Sequence, residues 1–293
     1  MKNAVAVKSP FLVPANGEFK LRHASTRPPK KAPDKAACKA RLAELVAEMA
    51  ELQDVLYAND HRSLLLVFQA MDAAGKDSTI RAVLSGVDPA GCQVTSFKAP
   101  TTIELEHDFL WRTTLALPER GRIGVFNRSH YEEVLAVRVH PEYLKNQRLH
   151  QLPPKLDTLW QQRYESIRDW EAHLVRNGTT VIKFWLNVSK DEQRDRFLAR
   201  IQEPEKNWKF NSADIAERTR WREYMQAYED ALNATSRPHA PWYAIPADSK
   251  SYMRMAVAQI IVDTLKQMKL GYPVLADAEK ARFAEMEQLL KSE

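Results

Sequence analysis

Two cysteines, Cys38 and Cys92, stand in 293 residues. They are too few for a disulfide framework, and no Cys and His spacing has the form of a zinc site. That usage points to a reducing, cytoplasmic compartment. Long hydrophobic runs are also missing: the longest, Leu64 to Phe68, has the length of a strand. The opening stretch MKNAVAVKSPFLVPANGEF breaks its apolar residues with Pro10 and Pro14, which suits neither a secretory signal nor a spanning helix. No membrane association is expected, and no internal repeat is present. Neither sign of charge dominates, with 43 Lys and Arg against 38 Asp and Glu. The resulting net charge of +5 and pI near 9.1 favour polyanions through the summed field. Nucleic acid, nucleotides and inorganic phosphate chains all qualify, and composition does not separate them.

What is present reads as alternation. Apolar residues from Ala37 to Tyr57 recur at three- and four-residue steps, the spacing of a packing helix. Continuous apolar runs at Ser63 to Gln69, Cys92 to Phe97, Arg122 to Asn127, Thr179 to Leu186 and Trp242 to Pro246 are of the kind covered on both faces. Helical patterns lie between them: Lys76 to Leu84, Ile103 to Leu115, Leu156 to Arg176, Asp191 to Ile201, Asp214 to Leu232 and Tyr252 to Met268. This predicts an α/β fold with a central parallel sheet flanked by helices on both faces. Residues 1–35, which include RPPKKAP, are expected to form a poorly ordered arm. Residues 36–275 form the expected domain, and 276–293 a C-terminal helix. Ligands in such a sheet sit beyond the carboxyl ends of the strands. Met71 to Lys76, Asn127 to Glu133 and the segment after Leu186 converge there.

Leu64 to Val83 reads LLLVFQAMDAAGKDSTIRAV, a strand running into a Gly-Lys pair. The common phosphate loop is G-x-x-x-x-G-K-[S/T], but here the first glycine is Ala70 and the hydroxyl is Asp77. Ala73, Ala74 and Gly75 let the backbone close around an oxyanion, and amides of the first helical turn point at it. Lys76 adds a compact charge. A carboxylate takes Mg2+ directly or through water, so Asp72 is the favoured substitute for the absent hydroxyl. Asp77 also complements the helix dipole, and Ser78 and Thr79 offer hydroxyls.

The stretch RIGVFNRSHYEEVLAVRVHPEYL presents a second polar set after a strand. Arg128 suits a phosphate because its planar fork binds two oxygens at once. Asn127 lies beside it, and Glu133 is placed one turn into a following helix as a second-shell metal ligand. His130 and Tyr131 read as structural, and Arg138 as a weaker phosphate candidate. A third set, Ser189 to Phe210, lays Arg194, Arg196, Arg200, Lys206 and Lys209 along a helix and the loop after it. Such a stripe is ordinarily an exposed face. Its position is nonetheless where P-loop nucleotide kinases carry a mobile lid, expected here at about 190–222, with Trp208 anchoring it or stacking on a base.

With these sets in hand, the sequence resembles the polyphosphate kinase type 2 family. The segments QAMDAAGKDSTIRAV, SFKAPT, HDFLWR, FNRSHYEEVLAVRVHPEYL, VSKDEQRDRF, PEKNWKF and APWYAIPAD follow its pattern in order, over most of residues 40–270. The resemblance implies a P-loop kinase-like three-layer sandwich with a helical lid. It implies phosphoryl transfer between inorganic polyphosphate and nucleotides with Mg2+ or Mn2+, in a homo-oligomer. The family motif maps onto Asp72, Lys76 and Arg128 as catalytic residues, with Asp72 on the metal. Arg194, Arg200, Lys206 and Lys209 correspond to the lid by neighbourhood alone. One branch of the family carries Asp where Asn127 stands and SWYNR in place of SHYEE; this chain resembles the branch that accepts both AMP and ADP. Expected partners are therefore polyphosphate, AMP, ADP and ATP, without nucleic acid. An acceptor phosphate with a second pKa of about 6 is already largely ionised at neutral pH, so no general base is required. The alternatives are an ATP-dependent nucleoside monophosphate kinase and a non-catalytic binder of nucleic acid or another polyanion.

Overall fold

Apolar runs that alternate with helices must be covered on both faces, and the strands they form are. The computed structural model describes residues 6–293, so the first five residues of the expected arm lie outside it. Five strands, β1 Ser63–Gln69, β2 Cys92–Ser96, β3 Ile123–Asn127, β4 Thr179–Asn187 and β5 Trp242–Pro246, form one sheet in the order β2-β3-β1-β4-β5. Every pairing is parallel. All residues of β1, β4 and β5 are buried, as sheets covered on both sides require. One flanking group of helices is Lys35–Asn59 (α1), Lys76–Val83 (α2) and Lys250–Gln267, which pack on one another. Another is Leu156–Arg176 and Trp221–Thr235. This is the expected α/β sandwich. Both cysteines are free thiols.

Two expected helices are interrupted. Ile103 to Leu115 divides into Thr102–Leu105 and Trp111–Leu115 because the Asp108 carboxylate accepts from the Leu110 amide at 2.9 Å, a local turn that competes with the helix. The Asp214 to Leu232 pattern divides into Ser212–Thr219 and Trp221–Thr235, where the Thr219 hydroxyl takes the Ala216 carbonyl. The expected C-terminal helix is likewise two pieces, Asp277–Ala281 and Phe283–Lys291.

The arm is not poorly ordered from residue 6 onward. Leu12 bridges Tyr243 in antiparallel sense, with Val13 N donating to Trp242 O at 2.9 Å and Ala244 N to Phe11 O at 2.8 Å. The chain thus occupies an edge of the sheet that would otherwise expose unpaired backbone groups. It then crosses the carboxyl ends of β4 and β5, where Asn187 Nδ2 donates to Ala24 O at 3.0 Å and Thr26 Oγ1 to Asp248 Oδ2 at 2.8 Å. Asp34 closes the arm as the N-cap of α1, accepting from Ala37 N at 2.8 Å. No described helix is long and apolar enough to cross a membrane.

Candidate active site

The loop after β1 is shaped by two left-handed residues, Ala73 at φ 60° and Gly75 at φ 105°. Gly75 permits the tight approach, and α2 begins at the next residue. No side chain caps α2, which leaves its first-turn amides available to an anion. Lys76 is only 8% exposed, and its Nζ donates to Ala70 O at 2.9 Å. Burial, and next to it the Arg128 charge, hold its pKa below the ordinary lysine value, against the pull of Asp72, Glu132 and Asp77. Ser78 Oγ closes the turn by donating to Gly75 O at 3.0 Å.

β3 delivers the second set. Its last residue, Asn127, donates to Asp77 Oδ1 at 2.7 Å, and the backbone then turns at Arg128 with φ 62°. A non-glycine residue in that region costs about 1–2 kcal/mol. Ala73 and Arg128 therefore place strain where the loop meets the strand, as functional sites commonly do. The Arg128 amide donates to Phe68 O at 3.1 Å, and its guanidinium to Asp72 Oδ1 at 2.7 Å. Glu132, which the sequence reading passed over, lies in the same group. With the Gln69 amide turned so that its nitrogen faces Glu132, it donates to Glu132 Oε1 at 3.0 Å, and burial pushes the Glu132 carboxyl up against the opposing fields of Arg128 and Lys76. Glu133, expected to support a metal ligand, has its carboxylate on other partners. It is buried on Arg163 at 3.1 Å and Gln147 at 2.6 Å, outside the phosphate-facing set. Arg138 is also elsewhere, bonded to Asp230 at 2.5 Å and to Tyr164 at 2.7 Å.

The third set comes from the helix Lys190–Gln202, whose N-cap Ser189 accepts from Glu192 N at 3.1 Å. Its first turns are fastened to the loop. Gln193 Nε2 donates to Asp72 O at 2.9 Å. Arg196 Nη1 donates to Ala74 O at 2.6 Å and Ala73 O at 3.1 Å, and its Nη2 to Ala247 O at 2.6 Å. Arg196 is buried, not part of an exposed stripe. Arg200 is paired with Asp214 at 3.2 Å. Arg194 departs from its expected role: it is exposed, paired with Asp191 at 3.1 Å and Asp195 at 3.0 Å, and faces no cavity at the loop. Trp208 is 77% exposed, with Lys209 4.9 Å from its ring.

Two cavities meet at this point. A cleft of about 810 Å3 runs over Asp72 to Ser78, Asn127 and Arg128, and includes Arg200, Lys206 and Lys209. Sequence reasoning missed three of its cations, Lys98, Lys250 and Arg254. A neighbouring cavity of about 520 Å3 shares Asp72, Phe97, Lys98 and Arg128 but differs in character, with Glu132, Glu133, Asp214, Glu217, Tyr143, Tyr224 and Tyr228 on its walls. Among the described residues no three His, Cys, Asp or Glu side chains converge on a metal position. The donor set fits Mg2+ in another way. Magnesium takes one or two carboxylates with substrate phosphates and water, and Asp72 has one oxygen on Arg128 while lining both cavities.

Behind the site, His130 is buried with neither ring nitrogen hydrogen-bonded among the described residues and with Glu171 Oε1 4.0 Å from its Nε2, and burial lowers its pKa to about 3. The folded chain refuses a proton that the unfolded chain accepts below about pH 6.5. Stability held at neutral pH is accordingly lost as pH falls from 6.5 towards 3, by up to about 1.4 kcal/mol per unit from this residue. Urea unfolding of the wild type and His130→Phe at pH 7 and pH 5 checks this. The variant should show the flatter pH dependence, and equal slopes would refute the assignment.

A buried parallel strand that opens into a lysine-bearing loop at a helix N-terminus, faced by a cationic helical segment across a cleft, defines a P-loop kinase-like protein. More particularly, the chain belongs to the polyphosphate kinase 2 family, whose model matches residues 32–272. It is 56% identical over 247 residues to an ADP-polyphosphate phosphotransferase of Rhodopseudomonas palustris, covering 84% of this chain and 86% of that one. It is 46% identical over 239 residues to an AMP/ADP-polyphosphate phosphotransferase of Meiothermus ruber, covering 82% and 85%. The crystal structure of polyphosphate kinase 2 from Arthrobacter aurescens superposes with a TM-score of 0.82 at 39% identity, covering 96% of this chain and 99% of that one.

Proposed function

We propose that this protein transfers phosphoryl groups reversibly between inorganic polyphosphate and AMP or ADP, producing ADP and ATP in the forward direction. The observation that carries the reading is the meeting of two unlike cavities at Asp72, Lys98 and Arg128. The cationic cleft over the loop suits a phosphate chain. The tyrosine-lined cavity beside it suits a nucleoside, whose base needs apolar and aromatic walls with a few polar groups. The acceptor phosphate then lies against Arg128, and the donor chain against Lys76 and the α2 amides. Donor, phosphorus and acceptor are aligned by positions the fold already fixes, and alignment with charge neutralisation is most of what phosphoryl transfer requires. Lys206, Lys209 and Arg200 cover the cleft from the segment after Phe197, which serves as the lid. A divalent cation at Asp72, when bound, supplies neutralisation of the phosphate oxygens.

The Meiothermus ruber relative's name supports the wider acceptor range, and the Rhodopseudomonas palustris name carries ADP alone. Asn127 bears on this locally. It is the donor that holds Asp77, and an aspartate in its place would set two carboxylates against each other.

The test is purified protein with Mg2+, long-chain polyphosphate and AMP, without nucleoside triphosphate, followed by chromatography. ADP followed by ATP is the expected result. ATP formed only when ADP is supplied would remove AMP from the acceptors. A strict requirement for ATP as donor would favour the nucleoside monophosphate kinase reading instead.

A further inference from the structure

The donor polymer is longer than the cleft, and the portion outside it carries one charge per internal phosphate. Two cations mark one end of the cleft, Lys250 and Arg254, on successive turns of the same helix. Neither forms an ion pair among the described residues, and the buried Nε of Arg254 has no hydrogen-bond partner there. Burial first, then the charges of Arg196 and Arg81, depress the Arg254 pKa, and α2, which carries Arg81, packs on the helix that carries Arg254. Glu192 acts on Lys250 as a counter-charge, but its carboxylate is already bonded to Arg196.

The N-terminal arm reaches the same end. Asp248 N donates to Thr26 O at 2.9 Å, and Asp248 Oδ2 accepts from Thr26 Oγ1 at 2.8 Å, two residues before Lys250. Phe11 meets the ring of Tyr252 edge-on at 6.2 Å, and the Cys38 thiol donates to Pro33 O at 3.4 Å. The segment between these anchors is RPPKKAP, with Arg27, Lys30 and Lys31 exposed. None of the three is ion-paired among the described residues, and the flanking prolines restrict the backbone that carries them. Fixing such a segment on an anion therefore costs less chain entropy than ordering a flexible tail.

Resting on the polyphosphate reading above, we propose that Arg27, Lys30 and Lys31 form a binding track that continues the cleft beyond Lys250 and Arg254 and holds the distal phosphates of a long polyphosphate chain. The track contributes affinity and takes no part in the transfer. Its signature is dependence on chain length.

The test compares wild type with Arg27→Gln/Lys30→Gln/Lys31→Gln, using long-chain polyphosphate and hexaphosphate as donors, and measures direct binding of both by competition. Three phosphate contacts contribute about two units of log-log salt slope at about 0.7 each. KM and Kd for the long chain should accordingly rise about tenfold or more near 0.15 M salt, with a shallower salt dependence. The kcat, and every parameter for hexaphosphate, should be unchanged, which also shows the fold intact. Unchanged affinity for the long chain would overturn the proposal, and so would an equal loss with hexaphosphate, which would place the effect in the cleft. Arm-dependent binding of the long chain without turnover by the wild type would leave the track standing and defeat the proposed reaction.

Discussion

Lys76→Ala is expected to lower kcat for phosphoryl transfer by about a thousandfold, the range seen when one preorganised donor to a transition-state oxyanion is removed. The same change should leave the protein as stable as before or slightly more so. Both halves follow from one geometry. The ammonium is almost fully buried against a loop carbonyl, and its lowered pKa says that the folded chain holds this charge less favourably than the unfolded chain does. Such a group opposes folding at neutral pH, fully so below its folded pKa, with relief as pH rises towards its unfolded value. Bound phosphate removes the penalty. Polyphosphate should therefore raise the melting temperature of the wild type more than that of the variant. Steady-state kinetics with thermal unfolding decides it, and a variant retaining a tenth of the wild-type kcat would show that Lys76 lies outside the reaction.

Lys183→Met should destabilise the fold by about 3–5 kcal/mol, the cost of stranding one member of a buried ion pair. Lys183 projects from β4 and is wholly buried. Its Nζ donates to Glu171 Oε2 at 2.5 Å, Tyr131 Oη at 3.0 Å and Thr235 O at 3.0 Å. Tyr131 Oη in turn donates to Glu171 Oε1 at 2.8 Å. Without the lysine, Glu171 keeps the Tyr131 hydroxyl and the field of Arg237 but loses its bonded counter-charge. Burial already pushes the Glu171 carboxyl up, and removing the Lys183 charge that opposes this would push it further the same way. The double variant Lys183→Met/Glu171→Leu should recover most of the loss, because a buried pair replaced by apolar groups of similar volume is often neutral. Urea midpoints of the three proteins give the answer; a single variant within about 1 kcal/mol of wild type would be incompatible with a charged pair here.

The parts of the site legible in the sequence were those where local pattern and topology agree. An apolar run, small residues and Gly75-Lys76 sufficed for the loop, and Arg128 followed from a polar burst at the end of another apolar run. Glu132 was missed for a geometric reason. Residues His130–Val134 form a 3-10 turn with about three residues per turn. Counting one α-helical turn past the strand selects Glu133, and the carboxylate near Arg128 and Lys76 is its neighbour. Arg196 was hidden because a buried arginine at helical spacing reads like its neighbours, the exposed Arg194 and the half-buried Arg200. The partners that distinguish it are backbone carbonyls of the loop and of the segment after β5, which no local pattern reports. Lys250 and Arg254 are more than 170 positions from the loop and reach it only through the sheet order. The arm was misjudged on composition, since its prolines and lysines mark a chain without a core of its own, whereas its hydrogen bonds are to β5, the strand ends and the helix Trp221–Thr235.

The three bonds that tie Gln193 and Arg196 to Asp72, Ala73 and Ala74 have a mechanical consequence. The first half of the Lys190–Gln202 helix and the phosphate loop are one rigid piece, so a hinge at Ser189 would tear the loop open with it. Flexure belongs beyond Phe197, the last buried residue of that helix. In the proposed reaction, closure of the cleft would accordingly fall to a short flap bearing Lys206 and Lys209 above a fixed base.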